Sequence, residues 1–421
     1  MHTINRLKNG AQVVGVNLPF MESISVGIWI GIGGRFEVDE LLGISHFLEH
    51  LLFKGTKRRS ALEITQEIEG AGGSMNAFTS QEFTCYFAKV LKDNYTVAID
   101  ILSDIVLNPI YTRKEVEKER KIIQEEIHMG IDIPSQHVQD LLDTIMWPDH
   151  PLCRQLIGTE KTLAGISHEH LISFKNEHYL PSQFVIALAG NLKDIDYIPV
   201  LESYFAVNSN KKEFSTPYFT EKAHSFTVTS QYRKTEQTHV ALGIRSYPRD
   251  DKKRLALKLL NVILGGNMSS RLFQVIREKE GLSYDISSQV ESFFDTGALI
   301  ISAGLDNKRV KKGVSCIISE LKKLKRETVS SVEFENAKKY AIGQLRLMNE
   351  KTSSHMFYAG ESLLCLGKIK SINEVIQTLK KLTCDDIKKV ANELFINEKL
   401  SLALIGPLKN MDTIKEEMNL D

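Results

Sequence analysis

The stretch ISHFLEHLLF, residues 44–53, places two histidines four positions apart with a glutamate between them. Each residue of an α-helix turns by about 100°, so His46 and His50 lie about 40° apart and Glu49 lies about 60° from His46. All three side chains therefore point toward one space. The flanking apolar residues predict a buried helix, in which the two imidazoles could simply pack against the core. A metal ion, however, would satisfy all three buried polar groups together.

A hydrolytic zinc site needs a third protein ligand, and two histidines with one glutamate are a common set. The charged segment 112–130, TRKEVEKERKIIQEEIHMG, has the apolar periodicity of an amphipathic helix. With Val116 set at 0°, Glu119 falls at about 300° and Glu126 at about 280°, beside the apolar stripe, whereas Glu125 falls at about 180°. The pattern favours Glu119 and Glu126 as inward-facing candidates. Either glutamate could instead form ion pairs with neighbouring charged residues on the helix surface.

The motif HFLEH, followed 76 positions after His50 by Glu126, resembles the inverted zinc motif of the pitrilysin and mitochondrial processing peptidase family, the inverzincins. The resemblance implies one Zn²⁺ ion per chain, bound by His46, His50 and Glu126. It further implies that Glu49 is the general base and that Glu119 supports the metal site from behind the ligands.

Other stretches along nearly the whole chain resemble the same family. The segment 72–86, GGSMNAFTSQEFTCY, resembles the strand at the sheet edge beside the zinc, and REKEGLSY, residues 277–284, resembles the Arg and Tyr signature of the second lobe. An edge strand can bind an extended peptide by strand addition. The resemblance therefore implies four substrate-binding residues: Asn76, Ala77, Phe78 and Thr79.

Arg277 and Tyr284 have two interpretations. Taken alone, REKEGLSY could close a helix, with Gly281 as the terminating residue and the charges solvated. The resemblance implies instead that both side chains bind the substrate backbone and help stabilise the tetrahedral intermediate. The preceding stretch LGGNMSSRLF departs from the glycine-rich loop of the family's non-catalytic subunit, because it is short and contains only one glycine pair. Selectivity for presequences is therefore not expected.

The chain also repeats itself at a separation of about 215 residues, a spacing typical of a duplicated domain. Residues 84–106 and 298–321 share the order strand, Asn-containing turn and helix, and Asn94 and Asn307 occupy corresponding positions. The predicted fold class is α+β, with two homologous lobes, each a mainly antiparallel sheet with helices packed on one face. The predicted boundaries are 1–208 for the catalytic lobe, 209–222 for a linker and 223–421 for the non-catalytic lobe.

The composition limits which binding partners and which cellular compartment we expect. The 421 residues include 53 basic and 53 acidic side chains, so no basic field predicts a nucleic-acid partner. The five cysteines form no CxxC pair, and we expect reduced thiols. The N-terminal sequence has no signal-peptide pattern, and the apolar stretch 24–34 is too short to span a bilayer. These features predict a cytoplasmic protein without a membrane partner.

The sequence thus predicts a zinc-dependent metalloendopeptidase that hydrolyses unfolded or extended peptides. Since family members of this half-length pair two two-lobed subunits, the resemblance also implies a homodimer. Two alternatives remain. The zinc enzyme that cleaves S-ribosylhomocysteine also has an HxxEH motif, but it is a single short domain with a Cys ligand. A non-catalytic structural or assembly subunit of the same family would have lost zinc ligands or the base, whereas this chain keeps the full set.

Overall fold

In a computed structural model of the chain, the described residues are 2–205, 217–220, 226–408 and 411–421. They divide into two compact units. The first consists of Met1–His128, Arg154–Pro217 and Leu347–Ser371, and the second of Met129–Cys153, Tyr218–Arg346 and Ile372–Asp421. The contiguous lobes 1–208 and 223–421 thus differ from this division, because each unit includes a segment from the other half of the chain. The predicted linker, residues 209–222, lies largely outside the described residues.

Eleven strands are found in the described residues. Six form the sheet of the first unit: β1 (His2–Arg6), β2 (Gln12–Asn17), β3 (Ser23–Ile30), β4 (Ser74–Thr79), β5 (Thr84–Leu91) and β6 (Val185–Gly190). Five form the sheet of the second unit: β7 (Thr227–Tyr232), β8 (Gln237–Ser246), β9 (Ser283–Ser292), β10 (Gly297–Asp306) and β11 (Leu400–Gly406).

Five strands of the first sheet, β2 to β6, have the same topology as the second sheet, and β1 is an additional strand at the edge. The strand order is β1-β2-β6-β3-β5-β4 in the first sheet and β7-β11-β8-β10-β9 in the second. In each sheet one pair is parallel, β2 with β6 and β7 with β11, and the other pairs are antiparallel. The α+β class and the duplication predicted from sequence are therefore confirmed.

Fifteen α-helices are found in the same residues: α1 (Ile44–Leu52), α2 (Ala61–Gly70), α3 (Tyr95–Leu107), α4 (Arg113–Asp132), α5 (Pro134–Met146), α6 (Glu160–Gly165), α7 (His168–His178), α8 (Tyr197–Phe205), α9 (Arg254–Leu264), α10 (Val310–Arg326), α11 (Ser331–Met348), α12 (Thr352–Leu366), α13 (Ile372–Lys381), α14 (Cys384–Leu394) and α15 (Asp412–Lys415). A π-helix spans Phe273–Lys279, and 3₁₀ turns span Gly34–Phe36, Asp39–Leu41, Lys92–Asn94, Pro151–Cys153, Pro181–Gln183 and Asn397–Lys399. No described helix is long and apolar enough to cross a membrane.

The sheet of the first unit is covered on both faces, which differs from the predicted single helical face. β3 is buried along almost its whole length, and successive side chains of a strand point to opposite faces. Helix α3 contacts β3 and β5, and α12, from the second half of the chain, packs against the opposite face, where Trp29 meets Met356. Gly360 permits this close approach, because a Cβ there would lie 2.0 Å from Trp29 Nε1.

The second unit receives a helix in the same way. Helix α5, from the first half of the chain, packs against β8 and β11. Its Leu142 and Met146 are fully buried in a cluster with Ala241 and Ala403 of those strands. Each sheet is therefore completed by a helix that is distant from it in sequence.

Candidate metal centre

Helix α1 carries both histidines of the motif, and a carboxylate from the preceding segment caps its N-terminus. Gly43 precedes the helix with φ = 91°, a left-handed conformation that favours glycine, and it provides no side-chain cap. Instead, Glu37 accepts hydrogen bonds from the backbone N–H groups of Gly43 and Ser45, at 2.7 and 2.8 Å. These bonds satisfy amides that lack a partner in the first helical turn, and they fix where α1 begins.

The helices α1 and α4 bring His46, His50 and Glu126 together, with one ligand atom from each lying within 4.8 Å of the others. Glu126 Oε1 lies 3.9 Å from His46 Nε2, and Glu126 Oε2 lies 3.7 Å from His50 Nε2. Both distances exceed hydrogen-bond length. They approach the separation of roughly 3.3 Å between ligands bound tetrahedrally to zinc at about 2.0–2.1 Å. The three side chains therefore fit a metal ion, and among the described residues no other such group is found.

The protonation of His46 also suits a metal ligand. Burial lowers the pKa of His46 to about 4, and the charge of His50 acts in the same direction. His46 is therefore neutral at physiological pH. A neutral imidazole nitrogen is the form that binds a metal ion.

Glu119 lies behind the ligands, on the same helix as Glu126. Its carboxylate is 1% exposed, and Oε2 lies 3.4 Å from Nδ1 of His50. The other oxygen, Oε1, forms an ion pair with Lys54 Nζ at 2.9 Å. This arrangement leaves Nε2 of His50 facing Glu126. A carboxylate that accepts from the second nitrogen is the usual partner of a metal-ligating histidine, because it fixes the ring orientation.

Glu49 lies on α1 and is held by the neighbouring strand. Thr79 Oγ1 donates a hydrogen bond of 2.6 Å to Glu49 Oε2. Burial raises the pKa of the Glu49 carboxyl, whereas the Thr79 hydrogen bond and the charge of His50 lower it and the charge of Glu126 raises it. The carboxyl thus lies within electrostatic reach of two of the metal-binding side chains. A carboxylate with a raised pKa is suited to accept and return a proton near neutral pH.

Strand β4 lies at the edge of its sheet, since within the described residues it pairs only with β5. The Phe78 side chain is partly buried and packs against Trp29. The backbone N–H of Ala77 donates to Asn76 Oδ1 at 2.8 Å. A peptide that used this amide would have to displace the Asn76 side chain.

Arg277 and Tyr284 lie in the second unit and contact each other. The Arg277 guanidinium lies 4.9 Å from the centre of the Tyr284 ring and 4.7 Å from that of Phe273. Tyr284 is 76% exposed at the start of β9. Gly281 adopts φ = 56° directly after the π-helix, so the helix-closing interpretation of this stretch describes the local backbone. Tyr284 is nevertheless accessible to a ligand, and the half-buried Arg277 lies beside it.

Residues 12–160 of the chain match the family description "Insulinase (Peptidase family M16)", and residues 165–340 match "Peptidase M16 inactive domain". A relative named "Uncharacterized zinc protease YmxG" from Bacillus subtilis is 38% identical over 412 residues, which cover 96% of this chain and 98% of the relative. The chain belongs to the M16 peptidase family. An uncharacterized zinc protease of Mycobacterium leprae is 34% identical over 417 residues, covering 98% of this chain and 94% of that protein.

Two solved structures share the M16 fold. A protease from Helicobacter pylori superimposes with a TM-score of 0.91 at 24% identity, covering 97% of this chain and 99% of that chain. An M16 inactive domain from Pseudomonas fluorescens gives a TM-score of 0.89 at 17% identity, covering 97% and 98%. These likenesses show the fold alone. The family predicted from the HFLEH motif is confirmed.

Sequence reasoning missed three features of this M16 centre: the Glu37 cap, the Lys54 partner of Glu119, and the Thr79 bond to Glu49. Of these three, only the Glu37 cap is indicated in the sequence. The residue before α1 is glycine rather than Ser, Thr, Asp or Asn, so a cap had to come from elsewhere. The sequence implied a substrate-binding role for Thr79, and the structure adds the contact of its hydroxyl with Glu49.

Proposed function

We propose that the protein is a zinc-dependent endopeptidase with Glu49 as its general base. One observation carries this proposal: ligand atoms of His46, His50 and Glu126 converge within 4.8 Å in a chain whose relatives are named zinc proteases. Glu49 lies on the same helix as two of these ligands and is oriented by Thr79. The reaction class that suits such a centre is metal-assisted hydrolysis.

Zinc, when bound by these three side chains, supplies a Lewis acid that activates water and polarises the peptide carbonyl. The Glu49 carboxylate accepts the proton of the attacking water and then returns it to the leaving amine nitrogen. Thr79 holds the carboxylate in one orientation, and Glu119 holds the His50 ring through Nδ1. Both contacts reduce the motion needed before proton transfer.

We further propose that extended peptides bind along β4 at Asn76, Ala77, Phe78 and Thr79. Support comes from the edge position of the strand and its direct contact with Glu49 through Thr79. Backbone pairing at a strand edge accepts many sequences, because it uses groups that every residue has. Only unfolded or flexible segments can present such a backbone, so folded proteins are poor substrates.

The variant Glu49→Gln tests the proposal. Zinc-loaded wild-type protein should cleave a disordered peptide with a quenched fluorophore, and chelation should abolish the cleavage. Glu49→Gln should retain one zinc per chain but lose about 10²- to 10⁴-fold in turnover, the usual contribution of a positioned general base. Metal content by mass spectrometry and turnover are measured on the same samples.

Glu69→Gln is the matched control, because Glu69 is an exposed glutamate of the adjacent helix α2 and should change neither quantity. If Glu49→Gln lost its zinc, the assignment of base and ligands would be wrong. If the wild type bound zinc but cleaved no unstructured peptide, the alternative of a non-catalytic structural or assembly subunit would replace the peptidase.

We also propose that the active form is a homodimer in which Arg277 and Tyr284 of each subunit serve the metal centre of the other. One chain carries both the metal-binding residues and the pair of Arg277 and Tyr284, which supports this proposal. A two-fold axis makes the contribution of each subunit to the other's site reciprocal. Mixing inactive Glu49→Gln and Tyr284→Phe subunits should restore activity at one of the two sites of each heterodimer. Verified, zinc-loaded heterodimers without activity would rule this sharing out.

A further inference from the structure

A pocket outside the metal centre lies in the first unit, lined by residues from the loop after α1, the end of α3, the segment before α4, and α7. Its volume is about 360 Å³, within the range of roughly 300–1,000 Å³ that is typical of small-molecule sites. None of the residues proposed for the metal centre or the edge strand lines it. The pocket is therefore separate from the proposed peptidase site.

Two lysines dominate the charge of this pocket. Lys175, in the last turn of α7, is mostly buried, and its Nζ donates to the Leu107 carbonyl at 3.0 Å. Lys57 lines the same pocket and is exposed. Among the described residues neither lysine forms an ion pair, and no aspartate or glutamate is part of the lining. Two lysines thus line one concave space that has no carboxylate in its lining; Glu169 lies outside the lining, 3.7 Å from Nδ1 of His168.

Two features of the surroundings lower the pKa of Lys175. Burial, the larger cause, and the charge of Lys57 together lower the pKa of Lys175 to about 8. An anion placed between the two groups would remove this unfavourable interaction. The Lys175 ammonium has three donor hydrogens, and Leu107 uses one of them. Two donors therefore remain for a ligand.

The remaining lining suits the organic part of a ligand. Ile110 and Ile172 are 45% and 39% exposed and both line the pocket. Tyr111 lies in the segment between α3 and α4, and its carbonyl accepts from Nε2 of His168 at 3.0 Å, which fixes the imidazole. Apolar walls beside a few fixed polar groups are the usual composition of a small-molecule site.

From this combination we propose that the pocket binds a small organic phosphate monoester, with the phosphate between Lys57 and Lys175 and the organic group against Ile110 and Ile172. Charge-assisted hydrogen bonds from ammonium groups are the strong contacts that hold phosphate. The site is independent of peptide hydrolysis, so it can be tested whether or not the protein is a peptidase.

Calorimetry on the full, zinc-loaded chain tests the site with three probes: adenosine 5′-monophosphate, inorganic phosphate and adenosine. Saturable binding of the monophosphate and its absence for adenosine are expected. Lys57→Met should weaken binding by about 10- to 100-fold, the value of a lost charge-assisted contact. Lys161→Met is the matched control, since Lys161 is an exposed lysine of the same unit outside the pocket, and it should have no effect.

A second measurement protects the test against variants that misfold. Wild-type protein is acylated briefly at pH 8, and the modified lysines are quantified by mass spectrometry. The monophosphate should slow acylation of Lys175 about tenfold and leave Lys161 unchanged, because a bound phosphate holds the amine protonated and covered.

Each outcome decides the proposal. Equal affinity for inorganic phosphate and the monophosphate would assign the site to free phosphate rather than to an organic ester. Binding that Lys57→Met does not alter would place the anion elsewhere, such as the metal centre, and would overturn the proposal. The absence of both saturable binding and protection of Lys175 would overturn it as well.

Discussion

Replacing Glu119 by glutamine tests how strongly the buried carboxylate behind the metal centre supports zinc binding. The side chain is 1% exposed and contacts two groups, His50 Nδ1 at 3.4 Å and Lys54 Nζ at 2.9 Å. Glutamine keeps the shape but removes the charge that both contacts use. We therefore expect weaker metal binding and also a loss of folding stability.

The size of the two effects follows from the surroundings. Loss of the carboxylate partner of a metal-ligating histidine costs about 10- to 100-fold in metal affinity or activity, or about 1.4–2.8 kcal/mol. Breaking a fully buried ion pair costs about 3–5 kcal/mol of stability. The Lys54 side chain is 32% exposed and can reach water, so the loss of stability should be smaller than that.

Zinc affinity is measured by competition with a chelator of known strength, and peptide turnover is measured on the same preparations. Glu125→Gln is the control, because Glu125 lies on the same helix and is exposed. The expected result is a 10- to 100-fold loss for Glu119→Gln and none for the control. If zinc affinity and turnover were unchanged in a folded Glu119→Gln protein, Glu119 would be only the structural partner of Lys54.

Three further predictions concern the ligands, the cap and the packing. His46→Ala, like loss of either other proposed ligand, should release zinc on dialysis, because two ligands leave an incomplete shell. Burial raises the pKa of Glu37 to about 7, so the folded state binds more protons than the unfolded state between about pH 4.5 and 7. Stability from this group should therefore fall as the pH rises through that window, and Glu37→Gln should flatten the dependence of the melting temperature on pH. Gly360→Ala should lower the melting temperature, since its Cβ would lie 2.0 Å from Trp29 Nε1 and overpacking costs about 1–3 kcal/mol; an unchanged melting temperature would contradict this packing.

The local elements were predictable because their residues are neighbours in the chain. The periodicity of segment 112–130 predicted a helix, and α4 spans Arg113–Asp132 with Glu119 buried and Glu125 exposed. Glu126, predicted beside the apolar stripe, is 47% exposed. The apolar stretch 24–34 predicted a buried strand, and β3 occupies most of it. In both cases the prediction depends on which residues share one face of the element. The repeat of 3.6 residues in a helix, or of 2 residues in a strand, determines this from the sequence.

The pairing of helices with sheets was not predictable in the same way. Helices α5 and α12 are amphipathic or apolar segments like the others, and nothing in their periodicity states which sheet they cover. The structure places α12 on the first sheet, where Gly360 meets Trp29, and α5 on the second. A hydrophobic face requires a partner surface but does not specify it.

The sequence by itself determined the family, the duplicated α+β fold and the candidate metal ligands, because HFLEH lies on one helix and Glu126 stands at a characteristic distance. Tertiary structure alone decided several contacts: the bonds of Glu37 to the start of α1, the ion pair of Lys54 with Glu119, and the position of Lys57 and Lys175 in one pocket. The physical reason is that charge and hydrogen-bonding effects act over a few ångströms in space. Only folding brings residues that are 100 or more positions apart in the chain, as Lys57 and Lys175 are, within that range.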